Sequence, residues 1–155
     1  MKKLILLVIF TLVIGCGFKV VNKSQLMNFN LKEINTSGEN RINYKLKNKL
    51  LIFNQNESNN KSYNINLKTD KIKKIKEKNI NNVITKYEIE ISTQVIVKTL
   101  QEKEVVRFTS SETGNFETGE RHSQTISNEK KLISLITNDL ADQIITQLFT
   151  KLNDL

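Results

Sequence analysis

Among 155 residues the side chains able to do chemistry are few: one cysteine, one histidine and an uneven scatter of lysines. Cys16 has no second cysteine for an internal disulfide, which leaves its thiol as a nucleophile or as an acceptor for a covalent group. His122 stands near Glu117 and Glu120, three potential metal ligands at loose spacing in a polar stretch. Solvated loop residues explain them more simply, because structural metal sites use tighter ligand spacing. Glu88 and Glu90 fall on one face of a strand, where they form either an acid pair or the ordinary polar side of that strand. No G-x-S-x-G elbow, phosphate-cradling glycine run or H-E-x-x-H is present. The sequence points away from an enzyme, and no metal or dissociable cofactor is expected. The densest charge cluster is Lys68, Lys71, Lys73, Lys74, Lys76 and Lys78. Ammonium groups hold phosphates as compact point charges. Strands also use lysine to block edge-to-edge pairing, and both readings stay open.

What precedes Cys16 decides how its thiol is read. Lys2 and Lys3 form a small basic region, and Leu4 to Ile14 is almost wholly apolar. That run matches a signal-peptide core and falls short of the roughly 20 residues that a membrane-spanning helix needs. Its end, Val13-Ile14-Gly15-Cys16, resembles a bacterial lipobox. The resemblance implies that the thiol receives a diacylglycerol group, that the chain is cut before Cys16, and that the new amine takes an acyl chain. Each buried methylene adds about 0.8 kcal/mol, so several chains make a lasting anchor. An ordinary cleaved signal and a retained anchor helix are the alternatives. Gly17 follows the cysteine, rather than the aspartate that commonly retains lipoproteins at the inner membrane. By that sorting pattern the anchor belongs in the outer membrane, with the domain facing the periplasm.

Three segments are expected: a signal peptide over 1–15, a lipidated tether over 16–25 and a single domain over 26–155. The formal charge of +8 falls to about +6 when Lys2 and Lys3 leave with the signal. A basic chain suits nucleic acid or anionic lipid. Export excludes nucleic acid and favours an anionic lipid or glycolipid. The chain has no proline and no tryptophan, and nothing in it marks a second domain.

The domain reads as strands and helices by hydrophobic period. Met27, Phe29 and Leu31 alternate with polar residues as a first strand. Thr36 and Glu39 stand at capping-box spacing ahead of Ile42, Leu46, Leu50 and Phe53, the stripe of a short helix. Asn54 to Lys61 reads as a polar loop. Tyr63, Ile65 and Leu67 open a second strand whose alternation slips near Asp70, which predicts a bulge or the strand's end there. After a turn at Asn79 to Asn82 comes the clearest strand, with Tyr87, Ile89, Ile91, Thr93, Val95 and Val97 on one parity and mostly charged or polar residues on the other. Gln101 to Glu104 is a hairpin turn, Val106 and Phe108 start a fourth strand, and Gly114 to His122 reads as a loop or frayed strand end. Ser127 is the expected cap of a long helix reaching about residue 153, with Ile133, Ile136, Leu140, Ile144, Leu148 and Leu152 on its stripe. The order β-α-β-β-β-α predicts an α+β two-layer sandwich: a four-stranded, mostly antiparallel sheet with both helices on one face.

The junction Gly15-Cys16-Gly17-Phe18, that element order, and the segment Leu140-Ala141-Asp142-Gln143-Ile144 before Leu148 together resemble the LptE family of lipopolysaccharide-assembly lipoproteins. The resemblance implies a plug inside a large outer-membrane β-barrel that supports assembly of that barrel and binds lipopolysaccharide. Charge and placement single out Lys71, Lys73, Lys74, Lys76, Arg107 and Arg121 for that ligand. Another periplasm-facing lipoprotein adaptor, serving envelope maintenance or secretion, is the alternative.

Overall fold

The computed structural model describes residues 29–54 and 61–153. The expected signal peptide, the tether with Cys16, Met27 and most of the polar loop (55–60) lie outside the described residues. Six elements follow one another: β1 (Phe29–Gly38), α1 (Asn40–Phe53), β2 (Lys61–Lys78), β3 (Ile84–Thr99), β4 (Glu104–Glu117) and α2 (His122–Asn153). The strands lie side by side in sequence order. β1 runs parallel to β2, while β2–β3 and β3–β4 are antiparallel. A parallel neighbour requires a crossover connection, and α1 supplies it. This is the expected α+β sheet with two helices. Among the described residues no helix is long and apolar enough to cross a membrane.

Burial follows parity. Tyr63, Ile65, Leu67 and Thr69 of β2 and Ile89, Ile91, Thr93, Val95 and Val97 of β3 face the helices and are buried. β1 would lose its parity after Leu31, but a bulge between Leu31 and Glu33 brings Ile34 back to the core. Asn54, just past α1, locks that bulge. Its Oδ1 accepts the Leu31 N–H at 2.7 Å and its Nδ2 donates to the Leu31 carbonyl at 2.8 Å, so one side chain replaces a missing strand partner. From the helices, Ile42, Leu46 and Leu50 and then Leu140, Ile144, Leu148 and Leu152 complete a single core. Each such side chain contributes about 1.5–3 kcal/mol when fully buried.

Four expectations need correction. Thr36 and Glu39 do not form a capping box. Thr36, Ser37 and Gly38 stay in β1, paired with Leu67, Lys68 and Thr69, and Glu39 caps α1 without any side-chain hydrogen bond. The parallel ladder claims their backbone first, and the Glu39 N–H donates to the Thr69 carbonyl at 3.0 Å. β2 neither ends nor slips at Asp70. It runs to Lys78 in unbroken register from Asp70↔Ser92 to Ile75↔Tyr87, and its irregularity lies between Ile75 and Lys78. α2 begins at His122 and not at Ser127, which makes it 32 residues long and about 48 Å at 1.5 Å per residue. Its start is held by side chains the periodicity does not see. Arg121 N–H donates to Gln124 Oε1 at 3.1 Å, and Gly119 N–H donates to Thr125 Oγ1 at 2.9 Å. Of the loop or frayed strand end expected over Gly114 to His122, residues up to Glu117 are regular strand, and Gly114 pairs with Ile89. A Cβ there would meet Leu132 Cδ1 at 2.5 Å, so the glycine lets α2 lie close on β4.

Gly38 marks the end of β1. Its φ of +90° and a Thr69 carbonyl oxygen 2.0 Å from where a Cβ would stand leave room for hydrogen only. Gly38→Ala should cost at least about 2 kcal/mol in a denaturant unfolding curve, combining backbone strain with a displaced ladder. At the centre of the sheet Thr69 Oγ1 and Thr93 Oγ1 meet at 2.8 Å, both wholly buried. Thr69→Val should destabilise by about 1–3 kcal/mol, because the Thr93 hydroxyl is left without a partner. The double change to valine should recover most of that loss, and equal costs for single and double variants would contradict the pairing.

Candidate binding surface

The lysine cluster lies where β2 outruns β1. Parity splits it between two faces. Lys71 and Lys73 stand opposite Ile91 and Ile89 and so share the helix-covered side, whereas Lys74 stands opposite Glu88 on the open side. Lys73 Nζ sits 4.3 Å above the Tyr87 ring and 5.1 Å from that of Phe116, and it meets Glu129 Oε2 at 2.6 Å. The two rings stack at 5.4 Å. A cation over an aromatic face with an ion pair at its tip is a packed arrangement, and its stem covers apolar surface.

The other lysines also have carboxylate partners. Lys71 lies 3.7 Å from Glu39 and Lys74 lies 3.5 Å from Glu90, both long pairs. Lys76 donates to Glu88. That bond holds the Glu88 carboxyl below the usual carboxylate range, against the opposing effect of burial. Glu88 therefore carries no proton to donate at neutral pH. Glu88 and Glu90 act as counter-ions to two lysines, which leaves little of the acid-pair reading. His122 is the first residue of α2, and among the described residues no three His, Cys, Asp or Glu side chains converge as metal ligands.

Arg107 and Arg121 are not gathered with the lysines into one patch. Arg107 stands opposite Ile96 on β4 and grips Glu104 through two nitrogens at 2.9 and 2.7 Å. Ile96 is seven residues along β3 from Ile89, or about 23 Å at 3.3 Å per residue. Arg121 follows the end of β4, at the same end of the sheet as the β2–β3 turn. The six selected cations thus occupy two sheet faces and both ends of the sheet.

One feature escaped sequence reasoning, and a second extends what it expected. First, α1 carries Arg41, Lys45, Lys47 and Lys49 and no acidic residue. Arg41, Lys45 and Lys49 recur at steps of four, a spacing that puts them on one stripe. Lys45 donates to Ser134 Oγ at 2.9 Å and Lys49 pairs with Asp142 at 2.8 Å, which aligns this stripe along α2. Arg41, Ile42, Lys45, Lys130 and Ile133 line a shallow groove of about 260 Å³ between the helices. Second, the open face of the sheet is polar throughout β2, β3 and β4 except for Ile72, Ile84 and Ile96. Asn64, Asn66, Ser92, Gln94, Thr109 and Thr113 are representative. The alternation of β3 announced this face, and the other strands extend it.

No protein-family model matches the chain, and no curated protein matches it. The fold does have solved counterparts. It superposes on an uncharacterized lipoprotein B from Nitrosomonas europaea with a TM-score of 0.63 at 12% identity, covering 88% of this chain and 91% of that one. A minor lipoprotein from Acinetobacter baumannii gives 0.60 at 13% identity, over 80% of this chain and 92% of the other. Rare lipoprotein B from Shewanella oneidensis gives 0.56 at 11% identity, over 79% and 98%. At such identities the likeness is one of fold: the chain has the architecture of these small bacterial lipoproteins.

Proposed function

We propose that the chain is a non-enzymatic lipoprotein, held in the outer membrane by acyl groups on Cys16, that plugs a large β-barrel. In this role it assists assembly of the barrel and delivery of lipopolysaccharide to the outer leaflet. The observation that carries the reading is the open sheet face. A domain that hides its apolar side under two helices and presents a polar sheet suits a barrel lumen, whose wall is polar. The Gly15-Cys16 junction supplies the anchor, and the lipoprotein counterparts of the fold support an envelope setting.

Purification of the tagged chain from detergent-solubilised membranes tests the partner. A large outer-membrane β-barrel should accompany it, and depletion should lower surface lipopolysaccharide and leave that barrel misassembled. Recovery with a soluble or inner-membrane complex, with both levels normal after depletion, would instead mean an adaptor in another envelope process.

The phosphates and acidic sugars of lipopolysaccharide would meet Lys74, Lys76 and Arg107 on the open face, and Lys71, Lys73 and Arg121 around it. The ion pairs that Lys74 and Lys76 now make are partly exposed and of the kind worth at most about 1 kcal/mol, so an anionic ligand can replace them. The double variant Lys74→Gln/Lys76→Gln should weaken lipopolysaccharide binding severalfold, and more at low than at high salt. Its thermal unfolding should stay close to that of the parent. Unchanged affinity would return these lysines to guarding a strand edge.

A further inference from the structure

β1 accompanies β2 only as far as Gly38↔Thr69, whereas β2 continues to Lys78. Among the described residues, nothing pairs with the outer edge of residues 70–78. Nine residues at about 3.3 Å each make a free edge of roughly 30 Å. The edge begins in an open cleft. A cavity of about 930 Å³ lies in line with β1, between Gly38–Arg41, where the chain leaves the sheet, and Thr69–Ile72, where β2 goes on. It is a vacant strand position, bounded on one side by the first turn of α1.

The chemistry of the edge narrows its occupant. Residues 70–78 carry five lysines against Asp70 and Glu77. Lys71 and Lys74 have their carboxylates at 3.7 and 3.5 Å, too far for full hydrogen bonds, and each ammonium has three donors. Arg41, at the mouth of the vacant position, has no acidic partner among the described residues. Ile72 and Ile75 stay 49% and 51% exposed on opposite faces of the strand, where a neighbouring strand would cover them. The chain's own tether does not suit this place. Residues 17–28 contain Lys19 and Lys23 and no acid, and they join β1 at Phe29, at the far end of the β1–β2 ladder.

We propose that residues 70–78 of β2 accept an extended, acidic segment of a partner polypeptide as an added strand in line with β1. Main-chain hydrogen bonds would supply the affinity, and the lysines would select carboxylates at alternate positions. The inference does not depend on the partner being a barrel. It also opposes the ordinary use of edge lysines as guards against pairing, and that opposition makes it testable.

The full chain in detergent can be titrated with a synthetic Val-Glu alternating octapeptide while amide hydrogen exchange is followed by residue. Every second amide between 70 and 78 should slow at least tenfold, since amides facing β3 are already protected. The same peptide N-methylated at alternate positions should not protect them, and a Val-Lys octapeptide should not bind. Lys71→Glu/Lys74→Glu should weaken the Val-Glu peptide at least tenfold. Three results would each overturn the proposal: unchanged exchange over 70–78, equal binding by the N-methylated peptide, or protection along the outer edge of β4 instead.

Discussion

The contact between Gly38 and Thr69 fixes more of this molecule than any other. At that point β1 comes so close to β2 that no side chain fits, and the Glu39 N–H closes the ladder on the Thr69 carbonyl. The positive φ of Gly38 turns the chain out of the sheet and directly into α1. One glycine therefore ends the parallel pair, sets where the crossover helix starts, and leaves the second half of β2 uncovered. Thr69 lies beneath it at the sheet centre, with its hydroxyl bonded to Thr93. The two buried hydroxyls satisfy each other, so the polar pair adds register without an unpaired group.

The rest follows from covering one side of the sheet only. α2 lies over β4 and reaches β3, α1 covers β1, and the helices join through Lys45–Ser134 and Lys49–Asp142. Leu140, Ile144 and Leu148 have no exposed surface to speak of. The opposite face is built from short amides, hydroxyls and paired charges. An antiparallel region with one wet face needs this alternation, and here it holds through nearly every position of three strands.

Local period explains what was legible in the sequence. β3, the stripe of α1, the stripe of α2 and both hairpin turns could be read because each depends on residues near one another. The capping box at Thr36 failed because a distant strand, β2, took that backbone for pairing. The slip read at Asp70 came from counting lysine as simply polar. Lys73 keeps its place on the covered side by laying its stem over Tyr87 and Phe116, so the backbone parity never changed. The true start of α2 depended on Gln124 and Thr125 reaching back to Arg121 and Gly119. Asn54 stapling Leu31 had no periodic signal at all. The lysine cluster was visible as charge, but its counter-ions Glu39, Glu88, Glu90 and Glu129 come from β3, α2 and the cap of α1, and no linear reading joins them.

That pairing changes where the chain's positive excess lies. On the open face, Lys74, Lys76, Lys86 and Lys98 are answered by Glu90, Glu88, Glu77 and Glu102, so the surface is charged yet nearly balanced. Exposed pairs of this kind lower the cost of approach for a polar wall without producing a strong field. α1 is different, with four cations, no acid of its own and, among the described residues, only Asp142 of α2 answering one of them. The sheet face thus carries mostly paired charge, and the helical face carries the larger unpaired positive excess. The division arises because Glu77, Glu88 and Glu90 are committed within the sheet, while α1 has no acid to commit.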